Sequence, residues 1–248
     1  MSRTDVTIPS PDGDIRAFVF KPDQGQGPWP TVLFIMDGLA IRPALYEMGE
    51  RLASHGYYVL LPDMFWRVGP YEPMDVKAVF SDEAKRKELF GKFLPSTNPT
   101  KSMADVGACL DWLGQQPQAK ADKIGMIGYC MGGAICLRAA AAYPDRIAAV
   151  GAFHAGNVAT DAPESPHLLA PKIKAKVLVA GADKDAGFDD AACARLDKAM
   201  KDAGVDAEVT IWRGALHGYA PKDTPVYNEA AAERHWREML ALFDGTLR

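Results

Sequence analysis

Ile124-Gly-Met-Ile-Gly-Tyr-Cys-Met-Gly-Gly-Ala-Ile-Cys-Leu-Arg138 decides the fold. It reads as a short apolar strand, a cysteine between glycines, and then a helix. Gly128-Tyr129-Cys130-Met131-Gly132 has the form Gly-x-Cys-x-Gly, a nucleophile elbow with cysteine where serine usually stands. The turn is so tight that only glycine fits on either side of the nucleophile. It lifts the Cys130 side chain above the sheet and leaves the N–H of Met131 at a helix N-terminus. Negative charge is stabilised there, and a thiolate gains from that field.

Outward from the elbow, apolar strands alternate with helical patterns. Ile15–Phe20, Thr31–Ile35, Tyr57–Leu61, Ile147–Phe153, Lys176–Ala180 and Ala207–Trp212 read as strands. Pro43–His55, ending at Gly56, reads as a helix, as do Ser102–Leu113, Asp189–Ala203 and Glu229–Phe243. Helices between strands imply an α/β chain with a mostly parallel sheet of about eight strands, covered on both faces and linked by right-handed crossovers. There is no solenoid repeat and no interdomain linker, so residues 1–248 are expected to form one domain. The least regular segment is 67–100, with Pro70, Pro73, Pro95 and Pro99. Within it, 82–93 is charged and helical in pattern, and the segment is expected to cover the site as a cap or insertion.

Composition narrows the function. With 48% hydrophobic residues in 248, a core can form without disulfides. A formal net charge of -4 argues against nucleic-acid or anionic-membrane partners. Met1–Ile8 lacks the apolar stretch of a signal peptide, and no apolar run approaches the roughly 20 residues that span a bilayer. Cys109, Cys136 and Cys193 lie in apolar helical patterns without Cys-x-x-Cys pairing, as small buried residues of a reducing compartment. A cytoplasmic protein is expected.

A nucleophile needs a base, and the base needs an orienting acid. In elbow folds they follow in the order nucleophile, acid, histidine. His217, in Gly214-Ala-Leu-His-Gly-Tyr219 beyond the last strand, is the expected base. His235 sits within a helix, His167 in a polar loop, and His154 at a strand end where it could line the pocket. For the acid, Asp183 and Asp185 compete in the loop after Lys176–Ala180; distance past the strand favours Asp185. The second oxyanion donor should come from Met36-Asp-Gly-Leu-Ala40, with the N–H of Gly38 beside that of Met131. Asp37 is a charged residue at the end of a central strand near the same place. No Walker or Gly-x-Gly-x-x-Gly sequence and no zinc spacing is present, and the chemistry requires no metal or organic cofactor.

Gly128-Tyr-Cys-Met-Gly-Gly133 resembles the Gly-Tyr-Cys-x-Gly-Gly signature of the dienelactone hydrolase (carboxymethylenebutenolidase) family, a cysteine branch of the α/β-hydrolase fold. Leu61-Pro-Asp-Met64 is similar to the family's Pro-Asp-Leu. The resemblance covers nearly the whole chain. It implies a Cys130–His217–Asp185 triad and a carboxylate that contacts the resting thiol, with Asp37 standing where the family carries glutamate. It also implies that Arg86 and Phe90 bind the substrate, with phenylalanine in place of tyrosine. The arginine that the family carries shortly after the histidine is missing, and Lys222 is the cation nearby.

The expected activity is therefore carboxylic ester hydrolysis: a lactone or activated ester, a small-molecule substrate, cleaved through a thioester acyl-enzyme by a monomer or small homo-oligomer. Two rivals are a broad carboxylesterase or thioesterase and a non-hydrolytic thiol sensor. A sensor would need neither the ordered acid nor the histidine.

Overall fold

A computed structural model describes residues 3–248; Met1 and Ser2, at the start of the N-terminal stretch read above, lie outside it. Eight strands form one sheet in the order β1-β2-β4-β3-β5-β6-β7-β8. β1 (Arg3–Ser10) and β2 (Gly13–Phe20) form a hairpin, and β2 runs antiparallel to β4 (Tyr58–Pro62). From β4 onward every pairing is parallel, through β3 (Trp29–Ile35), β5 (Ala119–Tyr129), β6 (Ile147–Phe153), β7 (Lys176–Ala182) and β8 (Ala207–Trp212). Seven of these strands overlap the stretches expected from sequence. β1 was not anticipated. It is an edge strand whose only fully buried side chain is Ile8, and exposed Arg3 and Asp5 mask the alternation while discouraging edge-to-edge pairing.

The helices follow from local chemistry. α1 (Pro43–Ser54) starts with proline at a position whose N–H has no helical partner. Its buried Leu45, Met48 and Leu52 recur at helical spacing, and the chain leaves it through Gly56 at φ 90°. α4 (Pro99–Leu113) and α6 (Asp190–Asp202) are capped by Asn98 and Asp189, whose side chains accept N–H bonds from Lys101 and Ala192. α7 (Glu229–Leu247) is capped in the same way by Asn228.

Both faces of β5 are covered so closely that a side chain is excluded. Gly125 and Gly128 are three apart and point oppositely. A Cβ on Gly125 would lie 2.8 Å from Phe243 of α7. On Gly128 it would lie 2.2 Å from the carbonyl oxygen of Gly132 in α5 (Met131–Ala142). The core is therefore two-sided. Central strand residues such as Val32, Leu33, Phe34, Ile124 and Met126 are fully buried, each contributing about 1.5–3 kcal/mol.

Between β4 and α4 the chain forms α2 (Val76–Ser81) and α3 (Glu83–Lys92). Asp82 caps α3, accepting N–H bonds from Ala84 and Lys85 at 2.8 and 3.3 Å. Val79 and Leu89 turn inward, while Phe80 and Phe90 remain exposed. Among the described residues, no helix is long and apolar enough to cross a membrane.

Candidate active site

β5 ends at Tyr129, and α5 begins at Met131. The single residue between them, Cys130, takes φ 55° and ψ -118°. That conformation is rare for a residue with a side chain and costs on the order of 1–3 kcal/mol. It persists because the surroundings overdetermine it: the Cys130 N–H donates to Phe153 O at 3.1 Å, and its carbonyl accepts from Gly133 N at 3.2 Å. The thiol is half-buried and lines a cavity of about 260 Å³. The other three cysteines lie elsewhere; burial pushes the Cys109 and Cys136 thiols far up, while Cys193 is only partly covered.

The loop after β8 carries His217 to the same cavity. Its Nδ1–H donates to Oδ2 of Asp185 at 2.6 Å. Asp185 comes from the loop after β7, and its other oxygen accepts the N–H of Gly187 at 2.8 Å. Burial works to lower the pKa of the ring, but the hydrogen bonds to Asp185 and Cys130 and their negative charges prevail, raising it to about 10. Burial opposes ionisation of Asp185 as well, yet the bonds to His217 and Gly187 hold its pKa below the usual range. Asp183 is engaged elsewhere: it accepts from Arg213 at 3.2 Å and from the N–H of Gly214 at 3.1 Å. Of the two candidate acids, only Asp185 meets the imidazole.

Met131 opens α5, so its N–H has no intrahelical acceptor. Gly38 lines the cavity from the loop after β3. The next N–H along, that of Leu39, is already spent on Asp37 Oδ1 at 2.9 Å.

Asp37 lines the cavity, but its carboxylate is bound. Arg42 donates to its two oxygens at 2.7 and 2.9 Å, and both side chains are almost fully buried. These bonds, with that from the N–H of Leu39, occupy the carboxylate that the resemblance set against the resting thiol. Neither Arg42 nor its second partner, Asp223, was singled out from sequence. They stand 181 positions apart, and only the charge of each is visible in the chain.

Arg86 and Phe90 of α3 also line the cavity, with Val79, Phe80 and Leu89. Among the described residues no ion pair engages Arg86, whose guanidinium makes a long 3.5 Å contact to Phe80 O. Lys222 lies in a separate small cleft with Arg51 and Glu233. His154 reaches the cavity as its place in the sequence suggested. Its φ is 38°, both ring nitrogens are buried without a partner among the described residues, and its ring lies 5.1 Å from that of His217. Burial, then the charge of His217, holds it neutral. His167 bonds Ser165 away from the cavity, and His235 packs in the core, 2.6 Å from the hydroxyl of Tyr129.

Known proteins resemble this chain along most of its length. The model of the "Dienelactone hydrolase family" matches residues 15–247. A Yersinia pestis protein provisionally named a carboxymethylenebutenolidase is 26% identical over 241 residues, covering 96% of this chain and 86% of its own. A Bradyrhizobium protein provisionally named a 2-oxo-3-(5-oxofuran-2-ylidene)propanoate lactonase is 29% identical over 220 residues, 85% of this chain and 84% of its own. Among solved structures, a provisionally named dienelactone hydrolase from Klebsiella pneumoniae superposes with a TM-score of 0.85 at 24% identity, over 98% of both chains. With a matching family model across the α/β-hydrolase sheet and the elbow, the chain belongs to the dienelactone hydrolase family and is a dienelactone hydrolase-like hydrolase.

Proposed function

We propose that this protein cleaves a lactone or activated ester through a Cys130–His217–Asp185 triad and a thioester acyl-enzyme. The observation that carries the reading is the convergence of three loops: Cys130 and His217 face one cavity, and Asp185 holds the far nitrogen of the ring at 2.6 Å. An imidazolium beside the sulfur favours the thiolate as nucleophile. The thiolate attacks the carbonyl carbon, and the oxyanion is received by the N–H groups of Met131 and Gly38. As the carbon–oxygen bond breaks, His217 gives its proton to the leaving oxygen. The neutral ring then takes a proton from water, which attacks the thioester and releases the acid and the thiolate.

Thiolates attack carbonyls well, whereas simple thioesters hydrolyse slowly, so an enol lactone or activated ester suits the site better than an ordinary ester. The walls formed by Val79, Phe80, Leu89 and Phe90 fit an apolar body, with Arg86 available at the side for one carboxylate. The same apolar walls favour a second reading, a broader carboxylesterase, in which the carboxylate is dispensable. An enol lactone and p-nitrophenyl esters of matched size separate the two. Higher kcat/KM on the lactone supports the first reading, and faster turnover of the simple esters replaces it with the second. Loss of turnover in both Cys130→Ser and His217→Ala is required by either; full activity in both variants refutes the triad.

A further inference from the structure

Arg42 sits at the foot of α1 with 2% of its side chain exposed, and all five of its N–H donors are used. Two go to Asp37, at 2.7 and 2.9 Å. Two go to Asp223, at 2.6 and 3.2 Å, and one goes to Ala40 O at 3.2 Å. A buried guanidinium so completely paired is a rigid planar fork, which a lysine with its single charge point cannot reproduce.

The two carboxylates belong to two different loops of the site. Asp37 belongs to the loop after β3. By taking the N–H of Leu39, it sets the peptide plane next to Gly38. Asp223 belongs to the loop after β8, which also carries His217. Its neighbour Thr224 lines the cavity and donates to Gly218 O at 2.7 Å, one residue past the imidazole. The loop with the oxyanion donor and the loop with the proton donor are thus tied to one side chain.

We propose that Arg42 is a positioning residue that clamps these two loops in register, through Asp37 on one side and Asp223 on the other, so that the Gly38 N–H and the His217 ring meet the same substrate carbonyl. The inference rests on the cysteine-hydrolase reading above. It assigns Asp37 a permanent partner, so the carboxylate acts on the loop and not on the sulfur.

The test compares two reactions of the same thiol. Alkylation of Cys130 by iodoacetamide needs the thiolate and the imidazole, which Asp185 holds independently of Arg42, but no oxyanion donor. Hydrolysis of p-nitrophenyl acetate needs all of them. Arg42→Lys is expected to fold, to alkylate within about threefold of the wild type, and to lose on the order of 10²-fold in kcat with little change in KM, in line with loss of an oxyanion donor. Asp223→Asn changes a partly exposed end of the clamp and should lose about fivefold in kcat with the alkylation rate retained. If Arg42→Lys does not fold, Asp223→Asn decides.

Unchanged kcat in the folded variant overturns the proposal, as does an alkylation rate that falls in step with kcat. Cys130→Ala, assayed alongside, separates the two levels. Turnover that survives in Cys130→Ala sinks the cysteine reading itself. Turnover lost in Cys130→Ala but kept in Arg42→Lys sinks only the clamp.

Discussion

Asp185 and His217 meet at 2.6 Å, although Asp183 lies two residues away on the same loop. The selection is made by Arg213 and the N–H of Gly214, which satisfy Asp183 and turn it from the imidazole. Asp185→Asn should therefore lower kcat by on the order of 10³–10⁴, because the amide no longer fixes the tautomer of the ring. Asp183→Asn should stay within about threefold, because its carboxylate serves the turn. Steady-state kinetics on one activated ester distinguishes them, and equal losses in the two variants contradict the assignment.

The raised pKa of His217 has a defined sign in stability. The folded value is about 10, above an unfolded value near 6.5, so the stabilisation is complete below about pH 6.5 and disappears as pH rises through 10. With 36% of the side chain open to solvent, screening moderates its size. The Tm gap between wild type and His217→Gln should shrink steadily from pH 7 to pH 10.5. A gap that stays constant over that range excludes a charged ring.

His235 has the opposite sign. Burial lowers its pKa to about 3, and it remains neutral opposite the hydroxyl of Tyr129. Between about pH 6.5 and 3 the unfolded chain holds a proton on this residue that the folded chain does not, so stability falls as pH falls. Thermal scans should show a shallower acid slope for His235→Gln than for the wild type. Tyr129→Phe strands the ring nitrogen and should cost about 1–3 kcal/mol at pH 7 by urea denaturation.

The elbow glycines are intolerant for steric reasons. A Cβ on Gly132 would lie 2.5 Å from Met36 O and 2.6 Å from Ile35 O, and on Gly128 2.2 Å from Gly132 O. These neighbours are backbone and cannot swing aside, so Gly128→Ala or Gly132→Ala should cost about 3 kcal/mol or more, or abolish soluble expression. Gly91, inside α3 with open space where its Cβ would go, is the control: Gly91→Ala should stabilise by about 0.5–1 kcal/mol.

Arg86 lines the cavity without an acidic partner among the described residues. Arg86→Ala should raise KM about tenfold for an ester that carries a carboxylate and leave a neutral ester of the same size unchanged. A loss of kcat on both would show that the residue supports the fold of α3 and not substrate binding.

The elbow was legible because everything it needs lies within fifteen residues: an apolar strand, two glycines around the cysteine, and a helix of small residues. The parallel strands were legible for a similar reason, since burial on both faces writes continuous apolar runs such as Val32–Ile35 into the chain. β1 was not, because an exposed edge strand carries charges where the apolar alternation should show. The sequence also put His217 in the loop after the last strand and left two aspartates competing to meet it. Only the folded chain chose between them, because the choice depends on which donors satisfy Asp183. Arg42 and Asp223 were silent for the same reason at longer range. A charge read in isolation carries no record of its partner, and pairing a buried guanidinium with two carboxylates is decided by which loops the sheet brings to one end.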